Sequence, residues 1–341
     1  SSGNATVVND TAIEFAASTV GGALSATATA GNITQSGALA IAGATTLVTS
    51  GAGADIDLAA NGTGNAFTAH LLITTNETGS DEDAHVSIDG GTTDLIIGNS
   101  TIDGNLTLLS GGTITDTDGS TVTVKGTLTA TTDQLNKIIT LNDLAVDGAF
   151  TLDPDGTGAV TIVNDVNLNL AASTMGGTFS GTATTGDISD SGVLTITGAA
   201  TFITAQAAQD IILDQANAFT SHVTMKAGTG GSLAFNDITF VDTNGVDLVS
   251  SAPSSAGKLF IDATTNLAVG GNLSITATTG NITQGGALDI EGTTTLVTTA
   301  QLATIDLATN GSGNAFTSEL LITTNDNDTP TDTTYAAHVS V

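Results

Sequence analysis

Two acidic turns are where this sequence could do chemistry. "DTDGS" sets Asp116 and Asp118 ahead of Gly119, and "DPDGTG" sets Asp153 and Asp155 ahead of Gly156. Carboxylate oxygens on a tight glycine turn are what calcium takes as ligands. These four aspartates are therefore the candidate weak calcium ligands, and calcium is the only cofactor the chain suggests. Neither loop carries a distal bidentate glutamate, and no GGxGxD nonapeptide occurs. The plainer reading of each is a solvated turn. Asp81, Glu82 and Asp83, and Asp326 with Asp328, form further oxygen clusters.

Four histidines are the other candidates. His70 and His222 fill one repeat position, in "NAFTAHL" and "NAFTSHV", where a third copy carries Glu319. His85 and His338 match each other in the same way. Positions that exchange His for Glu read as solvent-facing slots rather than metal ligands. The Phe of each "NAF" triplet (Phe67, Phe219, Phe316) reads as an inward stacking residue, with its Asn at a bend. Catalysis finds little support. β-Helical lyases hold acidic sugars with Arg or Lys, and this chain has no Arg. No Ser-His-Asp spacing, phosphate loop or dinucleotide fingerprint stands out, so the chain reads as a non-enzyme. Sequons such as those at Asn4 and Asn61 follow from the Asn and Thr content.

Composition limits the partners. Four Lys and no Arg stand against 34 Asp and Glu, a formal charge of −30. Such a surface repels phosphate backbones and anionic headgroups, which argues against nucleic acid and membrane surfaces. No run approaches the ~20 apolar residues of a membrane span. There is no Cys, hence no disulfide and no thiolate site. The chain opens "SSGNATVV" without Met and reads as a processed protein or a piece of a longer one.

The elements that would position these residues are short strands. "ALAI", "DIDL", "NLTL", "TVTV", "VLTI" and "NLSI" alternate apolar and polar residues, the mark of half-buried strands. Gly, Asn and Asp clusters separate them as turns require. One helical exception is expected at "TATTDQLNKII", where Thr131 and Gln134 resemble a capping box. Blocks recur: "GNITQSGALAI" at 31–41, "GNITQGGALDI" at 280–290 and, more loosely, "GDISDSGVLTI" at 186–196. The copies lie near 3–88, 158–225 and 258–341. Gly31 to Gly280 is 249 residues, Gly3 to Gly158 is 155, and the second copy to the third is 94. A coil that cannot bury its inner face alone must stack on neighbours. A coil of about 19–20 residues divides these spacings into about 13, 8 and 5 whole coils, or about 18 for the chain, and a coil of about 22–23 fits them less evenly. The expected fold is all-β: one continuous β-solenoid over 1–341, with Leu, Ile, Val and Phe inside and Thr, Asn and Asp outside.

"GNITQSGALAIAGATTLVT", "GNLSITATTGNITQGGALDIEGTTTLVT" and "IDLATNGSGNAFTSELLIT" resemble repeats of filamentous haemagglutinin-like exoproteins, the giant β-helical surface adhesins of bacteria. The resemblance is strongest at 18–76, 158–225 and 258–325. It implies a right-handed parallel β-helix and extracellular adhesion at the cell surface. "TLTATTDQLNKI" is similar to segments of phage fibre proteins. The expected function is a structural or adhesive extracellular rod, a stalk segment of a surface adhesin or a filament subunit. A phage-fibre or S-layer-like protein is the alternative, and a β-helical polysaccharide-active enzyme the third reading. Expected partners are flanking repeats or further copies end to end, and ligands on host or neighbouring cells.

Overall fold

A computed structural model describes residues 3–76, 84–227, 235–249, 257–262, 267–308, 313–325 and 339–340. The fold is a β-solenoid of about 13 turns, built from parallel strands with almost no helix. The chain divides into two compact units, residues 1–166 with 175–177, and residues 167–174 with 178–341.

In the first unit, Ala5–Asn9, Leu24–Ala28, Thr45–Thr49 and Leu71–Thr74 stack in parallel register along one sheet. Ile13–Phe15, Ile33–Gln35, Ile56–Leu58, Val86–Asp89, Leu106–Ser110, Leu128–Thr132 and Phe150–Pro154 form a second sheet. A third sheet, Ser18–Val20, Leu39–Ile41 and Ala66–Phe67, closes the first coils into a triangle. Period-two alternation drives this. In Leu24–Ala28 the residues Leu24, Ala26 and Ala28 are buried while Ser25 and Thr27 are not. A buried Leu or Ile contributes about 1.5–3 kcal/mol, and one-residue slippage would turn every such side chain outward.

The first stack continues through Leu95–Ile97, Ile114–Asp116 and Ile139–Val146 to Val160–Asn164. Val160–Asn164 echoes Ala5–Asn9 in sequence and lies seven strands further on. The 155-residue spacing is thus seven coils of about 22 residues, not eight of 19. Coil length varies because corners absorb insertions. Ile13 to Ile33 is 20 residues, whereas Ile56 to Val86 is 30. The helix expected after Thr131 does not form. Leu128–Thr132 is a strand with Thr132 buried, and Asp133 N–H donates to Ser110 C=O, continuing the ladder. A left-handed turn at Asn136 (φ 63°) follows.

In the second unit, Phe179–Ala183, Ala200–Thr204 and Val223–Ala227 stack in one sheet. Leu168–Leu170, Ile188–Asp190, Gln209–Phe219, Phe235–Asp242, Leu273–Ala277, Thr294–Gln301 and Leu320–Asn325 stack in the other. Four phenylalanines line this core: Phe179 to Phe202 (5.3 Å between ring centroids), Phe202 to Phe219 (6.1 Å) and Phe219 to Phe240 (5.3 Å, stacked with planes 20° apart).

The second and third copies do not share a phase. Phe179–Ala183 and Leu273–Ala277 correspond in sequence, yet they stand in different sheets. Ile188 stacks through Ile211 and Ile238 onto Leu273, not onto its sequence counterpart Ile282. Ile282–Gln284 joins the sheet of Phe179–Ala183 instead. The shift arises where Lys258–Asp262 inserts between Val223–Ala227 and Val246–Val249. One sheet takes two strands there while the other advances once, from Ile238 to Leu273. Copies therefore need not be separated by whole coils.

Candidate functional site

The expected calcium aspartates are placed but not gathered. Asp116 ends strand Ile114–Asp116, and its Oδ2 accepts the N–H groups of Asn142 (2.7 Å) and Asp143 (2.8 Å) in the next coil. Burial raises its pKa, and these two N–H bonds act in the opposite direction. Asp118 is exposed on the turn, where Gly119 (φ 73°) donates its N–H to Asp143 Oδ2 (3.0 Å). Asp116 and Asp143 thus lock two coils reciprocally. Asp153 is exposed on strand Phe150–Pro154, and Asp155 is exposed at the following corner. Among the described residues no three His, Cys, Asp or Glu side chains come together as a metal site. Asp81, Glu82, Asp83, Asp326, Asp328 and His338 lie outside the described residues.

Asp116 exemplifies a device the sequence concealed. Its two N–H donors sit in a bulge, where the register of Ile139–Val146 shifts between Leu141 and Leu144. Asp190 does the same, accepting from Asp214 N–H (2.8 Å) and Gln215 N–H (3.4 Å) at the shift between Leu213 and Asn217. A carboxylate satisfies the two donors that a bulge frees from the ladder.

Corners carry a second device. In the second unit Asn167, Asp187, Asp210, Asp237 and Asn272 each accept, through Oδ1, a backbone N–H from the next coil, at 2.7–3.0 Å. In the first unit the column runs Asn32, Asp55, His85, Asn105. His85 takes its place with Nδ1, which accepts Asn105 N–H at 3.0 Å. The exposed slot expected for His85 is thus one acceptor in a column. Glycine gives the side chain room: a Cβ at Gly186 would fall 2.0 Å from Asn167 Oδ1, and one at Gly126 would fall 2.2 Å from Asn105 Oδ1. His70 and His222 are half-exposed and Glu319 is exposed. Their carbonyls share one role, accepting Thr45, Ala200 and Thr294 N–H respectively.

The "NAF" triplet explains the recurring line. Asn65, expected at a bend, is buried and its side chain is fully engaged. Its Oδ1 accepts Leu39 N–H (2.8 Å) and Gln35 Nε2 (3.2 Å). Its Nδ2 donates to Gln35 Oε1, Leu58 C=O and Asp89 C=O. Gln284 and Asn314 repeat the pair in the third copy, at 2.9 and 3.0 Å. In the second copy Asp190 replaces the glutamine, and Asn217 Nδ2 donates to its Oδ2 at 2.6 Å. The Gln of "ITQ" and the Asn of "NAF" are two halves of one clasp. Phe67 and Phe219 are buried beside it, as expected, and Phe316 is half-buried. The inner face is also more polar than alternation suggested: Thr45, Thr49, Asn164 and Asn217 are wholly buried.

No curated protein and no solved structure matches this sequence. One family model does, over residues 2–74, 83–154, 157–226 and 236–323. Those segments cover most of the chain, which belongs to the family described as repeats of unknown function (DUF5649).

Proposed function

We propose that this chain is a structural and adhesive element of the cell surface, a stalk segment of a large secreted adhesin or a filament subunit. The observation that carries the reading is where the hydrogen bonds go. Strand ladders, corner columns and Gln–Asn clasps all run from one coil to the next. Polar groups thus serve cohesion along the stack, where each coil contacts only its neighbours. The outward positions are Thr, Ser and Asn with many carboxylates, a hydrated face suited to an extracellular setting. The reading gives the chain no catalytic role, and it makes calcium at the acidic turns an optional stabiliser. Its partners are flanking repeats or further copies, and ligands on other cells.

Two measurements test this. Pulling the chain from its ends should release coils in steps near 22 residues, about 75 Å of contour each. Beads coated with the chain should adhere to cells. Release in one long step, together with no adhesion to any cell type, would remove the proposal.

A further inference from the structure

Asp242 is the charge that the structure leaves least accounted for. It is 3% exposed at the end of strand Phe235–Asp242. Asn217 of the coil before is its register partner. Its Oδ1 accepts Phe219 N–H (3.3 Å), Asn244 N–H (3.2 Å) and Asn244 Nδ2 (3.4 Å). It lines a small recess together with Ser221, Val223, Phe240, Val246, Lys258 and Leu259. The one lysine there, Lys258, is bound to Asp247 Oδ2 at 2.5 Å. The other charged groups packed nearby are anionic: Asp190, joined to Asn217, and Asp214 beside Asp190. Ala277, its register partner in the following coil, carries no charge.

We propose that Asp242 is a proton-operated latch at the junction where one strand is inserted and the two sheets exchange partners, tightening that junction when its carboxyl is neutral. Geometry favours this. Those three bonds converge on Oδ1, so a proton on Oδ2 removes the buried charge and leaves them in place. The same side chain touches the turn leading into Val246–Val249, and the inserted strand Lys258–Asp262 walls its recess. Burial pushes the Asp242 carboxyl up to about 6, and the neighbouring N–H groups only partly offset this. The folded-state value therefore lies above the ordinary 3.8. Stability from this group is fully present below 3.8 and is lost as pH rises through about 6.

The test compares the wild-type chain with Asp242→Asn, which retains the accepting oxygen. Asp57→Asn, at an exposed carboxylate, controls for net charge. Amide exchange at Phe219 and Asn244 is measured at pH 7.5 and pH 5.0 and corrected for the intrinsic rate. Protection in the wild type should rise tenfold or more on acidification. In Asp242→Asn it should already be high at pH 7.5 and change less than twofold, while Asp57→Asn follows the wild type. Equal pH dependence in Asp242→Asn and wild type would overturn the latch. Should Asp242→Asn fail to fold, carbon NMR of the wild-type Asp242 carboxyl decides. Titration near 6 supports the latch, and titration below 4 removes it.

Discussion

The clasp of the first copy and the clasp of the second solve one problem with different chemistry. Gln35 and Asn65 exchange two amide hydrogen bonds and are neutral at any pH. Asp190 and Asn217 keep one bond of that kind, and the freed carboxylate oxygen instead steadies the bulge at Asp214. The second copy gains a longer strand, Gln209–Phe219, and accepts a buried charge. Burial raises the Asp190 pKa even though Asn217 and two backbone N–H groups oppose it. A repeat position is thus defined by the donor it must meet, and Gln or Asp will serve.

Three measurements sharpen that comparison. The largest effect is expected at Asn65, whose side chain makes five hydrogen bonds to four residues while 2% exposed. Asn65→Ala should cost about 3 kcal/mol in chemical denaturation, because several buried groups lose their partner. Asn314→Ala, at the half-buried site of the third copy, should cost about 1 kcal/mol. Equal losses would mean that burial does not set the strength of the clasp. Next comes Asp116→Ala, expected to cost about 1–2 kcal/mol by freeing the bulge N–H groups of Asn142 and Asp143. Added calcium should not restore it if those bonds, and not a bound cation, are what Asp116 provides. The smallest effect is a gain. Thr45 and Thr294 occupy one repeat position, and both hydroxyls are buried without a partner, while the second copy has Ala200 there. Thr45→Val should raise stability by about 1 kcal/mol. A loss would show that the hydroxyl is satisfied in solution.

Much of the fold could be read from the letters. Alternation located strands such as Leu39–Ile41, Leu106–Ser110 and Leu194–Ile196, and recurrence indicated stacked coils. Two errors have physical causes. "TATTDQ" has the spacing of a helix cap, but Thr132 is drawn inward by the ladder, and tertiary pairing overrode the local signal. A uniform coil misses that corners of variable size let a coil range from 19 residues, as from Ala5 to Leu24, to 30, as from Ile56 to Val86, and that an extra strand stretches the step from Ile238 to Leu273 to 35. The clasps and corner columns were not legible, because each joins residues 20 to 35 apart among many similar Asn and Asp. The acidic turns stood out for their pattern, but the clasps sit inside the strand repeats, where nothing in the pattern marks them.

The change of sheet between the second and third copies has an evolutionary consequence. A strand such as Leu273–Ala277 prescribes which of its residues face inward, but not which wall of the coil it joins. A duplicated block can therefore be accepted at any breakpoint that falls on a corner, whatever its length. Recombination in such a gene is not confined to units of one coil, and an out-of-phase insertion still yields a folded product. Descendants of one block can then drift to different walls while their sequences remain nearly the same, so alignment among these repeats reports ancestry more faithfully than position.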